Sequence, residues 1–202
     1  MPAPEVGEHW GILGGVFDPV HRGHINLSED IMKERRLDGV LFIPSYRPPH
    51  RLEESRAPFE DRLSMLRLAL AHYPKFHTSS IEHESDEPGY TYNTVRALKQ
   101  RHPGVEFSFL IGADNAENFK TWYKWEQILE EVVLLVGYRP GTDVDAVKAF
   151  PTGRMELIET GEYDLSSTEI RECIRKGVSP RDLKVMVPDD VAEYILKNEL
   201  YR

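Results

Sequence analysis

The chain has 202 residues, 40% of them apolar and 29% charged, as expected of one globular domain and not of a disordered segment. A formal net charge of −9 argues against a broad nucleic-acid-binding surface, because such surfaces are basic. One cysteine, Cys173, allows no internal disulfide. Met1–Trp10 lacks the apolar core of a signal peptide, and the longest apolar run, Val132–Val136, is too short to cross a membrane. We therefore expect a cytoplasmic protein with a single domain over residues 1–202 and no membrane or nucleic-acid partner.

Short apolar runs alternate with longer amphipathic segments along the whole chain. The predicted strands are Trp10–Leu13, Val40–Ile43, Phe76–Ser80, Val105–Ile111, Val132–Gly137 and Met155–Ile158. The predicted helices are Gly23–Arg36, Pro58–His72, Thr91–Arg101, Asn115–Glu130, Asp143–Ala149, Ser167–Lys176 and Asp189–Leu200. This alternation predicts an α/β fold, a doubly wound and mainly parallel sheet with helices on both faces. Such sheets bind ligands beyond the carboxyl ends of their strands.

The segment Gly14–His24 (GGVFDPVHRGH) follows the first predicted strand. Two glycines after a strand let the backbone turn tightly and leave amide N–H groups free, which favours a phosphate near a helix start. His21 and His24 are three residues apart, so one helical turn directs both imidazoles at the same place. Gly23 between them leaves room for a ligand. A metal site is the alternative for this pair, but no third ligand stands nearby at metal spacing.

The segment Leu165–Arg171 (LSSTEIR) is the second one with chemical interest. Ser166 and Glu169 have the spacing of a capping box, which predicts the start of a helix. Hydroxyl groups at a helix N-terminus, with Arg171 one turn later, also predict a phosphate clamp. The structural role and the binding role are compatible with each other.

Together, the two segments resemble the nucleotidyltransferase superfamily with an H-x-G-H motif near the N-terminus and an S-S-T-x-[IV]-R motif near the C-terminus. Further segments resemble the bacterial nicotinate-nucleotide adenylyltransferases: Pro44–Arg51 (PSYRPPHR), Tyr90–Val95 (YTYNTV), Ile111–Leu129 (IGADNAENFKTWYKWEQIL) and 139–141 (RPG). The motifs stand in the family's order and span most of the chain. Three residues depart from the family pattern: Val16 stands where Thr is common, Arg51 where Lys is common, and Asn93 where Asp is common.

This resemblance implies an enzyme of NAD biosynthesis with a Rossmann-like fold. Its partners would be ATP and nicotinate mononucleotide, its products deamido-NAD and pyrophosphate, and its cofactor Mg²⁺ accompanying ATP. The implied catalytic residues are His21, His24 and Arg171. Those implied to contact ATP or its phosphates are Gly14, Gly15, Val16, Phe17, Gly23, Gly112, Asp114, Arg139, Ser167 and Thr168. Those implied to contact the acceptor are His50, Arg51, Thr91, Thr94, Trp122 and Tyr123. No metal site made of protein side chains is expected, and a homo-oligomer is left open.

The aromatic residues within Ile111–Leu129 also allow an argument from their chemistry. A Trp beside a Tyr suits a flat heteroaromatic ring, whereas the helical spacing of Trp122 and Trp125 suits ordinary packing. We expect Trp125 in the core and Trp122 facing a ligand. By contrast, the acidic run Glu82–Glu87 is expected to be a solvated loop.

Two alternatives to this function stay open at this point. The same chemistry could act on nicotinamide mononucleotide, which differs from the acid only in an amide for a carboxylate, or on another phosphorylated acceptor. The alternative of another class is an inactive nucleotide-binding module. Turnover, as opposed to binding alone, separates that module from an enzyme.

Overall fold

Six parallel strands form the centre of the fold in the computed structural model, which describes residues 4–46, 57–142, 153–161 and 163–202. They are β1 (His9–Gly15), β2 (Gly39–Pro44), β3 (Phe76–Thr78), β4 (Glu106–Gly112), β5 (Val133–Tyr138) and β6 (Met155–Glu159). Their order in the sheet is β3-β2-β1-β4-β5-β6, and every neighbouring pair is parallel. The predicted strands and the predicted parallel sheet are therefore confirmed.

The described part of the chain contains the following α-helices: α1 (Arg22–Arg35), α2 (Phe59–Leu70), α3 (Thr91–Arg101), α4 (Ala113–Glu117), α5 (Trp125–Glu131), α6 (Ser167–Arg175), α7 (Pro180–Met186) and α8 (Asp189–Lys197). A single 3₁₀ turn, Phe119–Thr121, lies between α4 and α5. None of these helices is long and apolar enough to cross a membrane. The predicted helix Asp143–Ala149 lies outside the described residues.

The helix prediction is wrong in two places. The single helix expected over Asn115–Glu130 is divided, because Trp122 has an extended backbone and Lys124 has a left-handed one with φ 54°. Helix α7 was not predicted at all. Its start carries a recognisable signal, since Ser179 accepts a hydrogen bond from the Asp182 backbone N–H at 3.1 Å and Pro180 occupies the first turn.

Two hydrophobic cores cover the two faces of the sheet, as expected of a doubly wound fold. Successive side chains of a strand face opposite sides of the sheet, so alternate residues belong to different cores. In β2, for example, Val40 and Phe42 belong to one core while Leu41 and Ile43 belong to the other. The first core is completed by α1, α2 and the C-terminal helices α6, α7 and α8, and the second by α3, α4 and α5.

The strand order reverses between β1 and β4, which are neighbours in the sheet although two strands separate them in the chain. From β1 the chain proceeds outward to β2 and β3, and it then returns to build β4, β5 and β6 on the other side. A crevice forms beyond the carboxyl ends of the strands at such a point, because the connecting segments diverge to opposite faces. The loop after β1 and the loop after β4 therefore border the place where a ligand is expected.

Candidate active site

A cavity of about 1410 Å³ lies at this carboxyl edge of the sheet. Pockets for one drug-sized ligand measure roughly 300–1,000 Å³, so this cavity has room for more than one ligand. The predicted site residues in its lining are Gly14, Gly15, Val16, Phe17, His21, Gly23, His24, Thr91, Thr94, Gly112, Asp114, Trp122, Arg139, Ser167, Thr168 and Arg171. His50 and Arg51 lie outside the described residues. The fold thus brings together residues that are up to 157 positions apart in the chain, from Gly14 to Arg171.

The sequence analysis predicted that Gly14 and Gly15 make the turn from β1 into α1. The structure contradicts this prediction. Gly14 and Gly15 still belong to β1, and the left-handed backbone occurs at Phe17, with φ 50°. The glycines have a packing role instead. A Cβ atom on Gly14 would lie 3.3 Å from the Phe109 ring, and one on Gly15 would lie 3.2 Å from the Phe17 ring. With either Cβ present, the neighbouring aromatic ring would have to move away from the strand end by a few tenths of an ångström.

The two histidines of the motif are stacked at the start of α1. His21 is the N-cap residue, and its ring centroid lies 3.7 Å from that of His24. The backbone N–H of His21 donates a hydrogen bond to Nδ1 of His24 at 3.2 Å. Because Nδ1 accepts, a neutral His24 carries its proton on Nε2, at the other side of the ring. His24 is therefore arranged as a hydrogen-bond donor in the cavity lining.

Burial keeps both imidazoles uncharged at neutral pH. It lowers the pKa of His21 to about 4. Burial also lowers the pKa of His24 well below 6.5, and the neighbouring His21 lowers it further. The pair therefore contributes hydrogen bonds, not fixed positive charge, to the protein without ligand.

The lowered pKa of His21 predicts a pH-dependent stability. An unfolded histidine binds its proton near pH 6.5, whereas the folded His21 resists it down to about pH 4. The unfolded state thus binds more protons in this window, and stability falls as the pH falls. Between pH 7 and pH 5 we expect His21 to cost about 2 kcal/mol, measured by urea denaturation. The variant His21→Gln should lose that part of the pH dependence; an unchanged dependence would contradict the assignment.

Helix α6 meets the β1–α1 turn directly. The predicted cap is confirmed, because the Ser166 hydroxyl accepts from the Glu169 backbone N–H at 3.2 Å. The next hydroxyl, on Ser167, donates to the carbonyl oxygen of Pro19 at 2.9 Å.

Arg171, one turn later, is buried with its guanidinium against the same turn. Its Nη1 donates to the carbonyl oxygen of Asp18 at 2.7 Å, and its Nη2 donates to the Thr168 hydroxyl at 3.2 Å. The predicted phosphate clamp therefore lines the cavity, and its members also hold the histidine-bearing turn in place.

The side of the cavity formed by α3 contains a carboxylate that the sequence did not single out. Glu82 accepts from the Thr94 hydroxyl at 2.8 Å and from the Tyr46 backbone N–H at 3.2 Å. Burial raises the pKa of Glu82, although both hydrogen bonds oppose this effect. The predicted loop Glu82–Glu87 is therefore exposed at its other acidic residues but not at Glu82, and the Thr94 hydroxyl is already engaged in a protein hydrogen bond.

The aromatic residues after β4 divide between the cavity and the surface. Trp122 lines the cavity and packs against the rings of Phe109 and Phe119, at centroid distances of 6.0 and 5.2 Å. Trp125 packs against the second core but remains partly exposed. Tyr123 is 44% exposed, is not part of the cavity lining and lies 4.5 Å from the Tyr90 ring. Trp122 therefore combines packing with exposure to the cavity, whereas a contact of the Tyr123 ring with the acceptor stays a prediction.

Arg62 is a further residue that organises the site and that the sequence analysis missed. It is buried on α2 and donates to three backbone carbonyl oxygens: Val16 at 2.7 Å, Ser45 at 2.9 Å and Ala57 at 3.2 Å. These carbonyls belong to the loop after β1 and to the two borders of the segment 47–56. The sequence does hold a signal for it, since Arg62 stands within the apolar face of α2.

Few positive charges line the cavity. Arg139 and Arg171 are its only Lys or Arg residues within the described ranges, and Arg139 forms an ion pair with Asp164 at 3.0 Å. No group of three or more His, Cys, Asp or Glu side chains in the described part could hold a metal ion. N–H donors at the starts of α1 and α6 can bind a phosphate in addition to these two arginines.

Comparisons with known proteins identify the family of the chain. The cytidylyltransferase-like family model matches residues 12–173. A Geobacillus kaustophilus (strain HTA426) protein named probable nicotinate-nucleotide adenylyltransferase is 38% identical over 191 residues, which is 95% of this chain and 85% of the relative. The Bacillus subtilis (strain 168) nicotinate-nucleotide adenylyltransferase is 36% identical over 191 residues, which is 95% of this chain and 97% of the relative.

A solved structure of Plasmodium falciparum nicotinic acid mononucleotide adenylyltransferase, complexed with NaAD, shares the fold. It superimposes with a TM-score of 0.80 at 23% identity and covers 96% of this chain and 97% of its own. The sequence similarity, which extends over nearly the whole chain and includes both motifs at the cavity, decides the family. The chain belongs to the nicotinate-nucleotide adenylyltransferases, within the cytidylyltransferase-like family.

Proposed function

We propose that this protein transfers AMP from ATP to nicotinate mononucleotide, giving deamido-NAD and pyrophosphate. The observation that carries the proposal is the hydrogen bond from the His21 backbone N–H to His24 Nδ1, which leaves His24 Nε2 as a donor in a cavity between two helix starts. The identity of the acceptor follows from membership of the family, whose curated relatives carry this activity in their names.

The reaction needs little covalent help from the protein. A phosphate oxygen of nicotinate mononucleotide attacks the α-phosphorus of ATP and forms the new P–O–P bridge, while the bond from that phosphorus to the bridging oxygen breaks and pyrophosphate leaves with its electrons. The attacking phosphate is already an anion, so no general base is required. Catalysis then depends on position and on stabilisation of the negative charge that builds up on the transferred group. His24 Nε2–H and the N–H groups at the starts of α1 and α6 are suited to this task.

We propose that Mg²⁺ enters this site as a companion of ATP. The described side chains contain no cluster of metal ligands, and only two arginines line the cavity. Mg²⁺ is commonly held by substrate phosphates and water with few protein ligands. When bound, it would neutralise charge on the triphosphate and on the departing pyrophosphate.

The proposal is tested by the release of pyrophosphate from ATP and Mg²⁺, with nicotinate mononucleotide and nicotinamide mononucleotide supplied in separate reactions. We expect fast release with the acid and slow release with the amide. Equal rates would broaden the acceptor to both mononucleotides. ATP binding without release from either would remove the proposed acceptor and direct attention to other phosphorylated compounds.

Trp122→Ala is expected to weaken binding of the acceptor more than binding of ATP. The indole lines the cavity, and loss of stacking worth about 1 kcal/mol raises the Michaelis constant of the acceptor by about fivefold. Trp125→Ala is the matched control, because Trp125 packs against the same core but is absent from the cavity lining. Steady-state kinetics with each substrate varied separate the two variants. If ATP binding weakened to the same degree, Trp122 would act through packing alone.

A further inference from the structure

Asp18 is a buried carboxylate in the turn between β1 and α1, three residues before His21. Only 2% of its surface is exposed. Its Oδ1 accepts two hydrogen bonds: one from the hydroxyl of Tyr201 at 2.7 Å and one from the backbone N–H of Ala57 at 3.0 Å. Its Oδ2 makes no hydrogen bond within the described residues and lies 4.0 Å from Nη1 of Arg171. A buried carboxylate depends strongly on each of its few donors, because water cannot replace them.

The backbone of the same turn is held from the opposite direction. The carbonyl oxygens of Asp18 and Pro19 accept from Arg171 and Ser167 of α6, at 2.7 and 2.9 Å. Phe17, just before them, adopts a left-handed backbone with φ 50°. A non-glycine residue keeps such a conformation only where its surroundings impose it. The position of His21 therefore depends on contacts that are made by distant parts of the chain.

Tyr201 reaches Asp18 from the segment that follows α8. Glu199 and Tyr201 both have left-handed backbones, with φ 53° and 68°, and the Leu200 N–H donates to the Ile195 carbonyl at 3.1 Å. This path turns the Tyr201 ring into the first core, where only 9% of the residue is exposed. Burial, and next the charge of Asp18, raise the pKa of the Tyr201 hydroxyl, so it remains a proton donor throughout the neutral range.

We propose that Tyr201 is a positioning residue for adenylyl transfer, which acts by holding the Asp18 carboxylate and thereby the turn that carries His21. The expected effect of Tyr201 on the reaction rate rests on the proposed function. It gives the α8 region, which contributes no residue to the cavity lining, a role in the chemistry. It also links that region to Ala57, the first described residue after the segment 47–56, through the shared carboxylate oxygen.

The chain offers a closely matched control. Tyr194, on α8, donates its hydroxyl to Oδ1 of Asp61 on α2, also at 2.7 Å. Both bonds join a tyrosine of the α8 region to an aspartate of the remaining fold, but Asp61 is not part of the active-site turn or of the cavity lining. Tyr201→Phe and Tyr194→Phe each delete one hydroxyl and keep the ring.

The experiment compares both variants with the parent protein, using pyrophosphate release from ATP, Mg²⁺ and nicotinate mononucleotide well below the melting temperatures. We expect Tyr201→Phe to lower kcat by about tenfold, as loss of a hydrogen bond to a charged group allows, and Tyr194→Phe to leave kcat unchanged. Parental kcat in Tyr201→Phe, or an equal loss of kcat in both variants, would overturn the inference.

Hydrogen exchange of the Val16–His24 amides gives a second readout that does not need turnover. It should become faster in Tyr201→Phe and remain parental in Tyr194→Phe. If the parent protein released no pyrophosphate, the proposed function would fail, while this exchange comparison would still decide whether Tyr201 holds the turn. Parental exchange in Tyr201→Phe would overturn the inference.

Discussion

Replacing His24 with alanine is expected to lower turnover by at least about a hundredfold while the fold stays intact. The Nε2–H of His24 is a donor in the cavity lining, and its direction is set by the hydrogen bond from the His21 backbone to Nδ1. A donor held ready for the negative charge of a transition state is worth roughly 3–4 kcal/mol, because it does not have to reorient during the reaction. The loss should therefore appear in kcat, measured as pyrophosphate release at saturating substrates.

Two further variants distinguish the loss of the hydrogen-bond donor from damage to the fold. His24→Gln retains an N–H donor near the position of Nε2, so it should keep more turnover than His24→Ala. His72→Ala removes an imidazole whose side chain is 83% exposed and is not part of the cavity lining, so its turnover should match the parent. Near-normal turnover of His24→Ala would remove the mechanism proposed above.

Arg62→Met is expected to lower the free energy of unfolding by about 3 kcal/mol. The guanidinium is buried and supplies donors to the carbonyl oxygens of Val16, Ser45 and Ala57, which methionine cannot replace. A buried acceptor left without its donor costs about 1–3 kcal/mol; the bond to Ala57 is fully buried, and those to Val16 and Ser45 are partly buried. Since Val16 and Ser45 both border the cavity, the folded fraction should also turn over more slowly. Urea denaturation measures the first effect, and turnover per folded molecule measures the second.

Arg67 provides the control on the same helix, because its side chain is exposed. Arg67→Met should change stability by no more than about 0.5 kcal/mol. Arg62→Lys keeps the charge but lacks the planar fork that reaches several carbonyls at once, so its stability should fall between the parent and Arg62→Met. Equal stability of Arg62→Met and Arg67→Met would show that these three hydrogen bonds contribute little.

Much of the fold was predictable, because the buried strands and the half-exposed helices of a doubly wound sheet have different patterns of apolar residues. Buried parallel strands are short apolar runs, and the helices that cover them are amphipathic at helical spacing. The prediction of one helix from Asn115 to Glu130 was wrong for a local reason, since a helical spacing of aromatic residues does not reveal the left-handed backbone at Lys124. Boundaries elsewhere moved by a few residues, as frayed helix ends commonly do.

The site was predictable where its residues are contiguous in the chain. The histidine motif and the Ser166–Arg171 motif could be found by their spacing, and their union at one cavity follows from parallel topology. The predicted position of the turn was wrong, because the sequence does not show that Gly14 and Gly15 continue β1 and that the left-handed backbone occurs at Phe17.

The amino-acid sequence by itself determined the parallel α/β class, the family and the two motifs. The fold class follows from short-range periodicity, and the motifs and the family follow from contiguous residues. Only the tertiary structure decided which groups Arg62, Asp18 and Tyr201 contact around the active-site turn, since these partners, apart from Ala57 for Arg62, lie 17 to 183 residues away. It also decided that His24 presents Nε2 as its donor, and that burial keeps the histidine pair neutral. Tautomer and pKa depend on neighbours brought together by folding, and spacing along the chain does not record them.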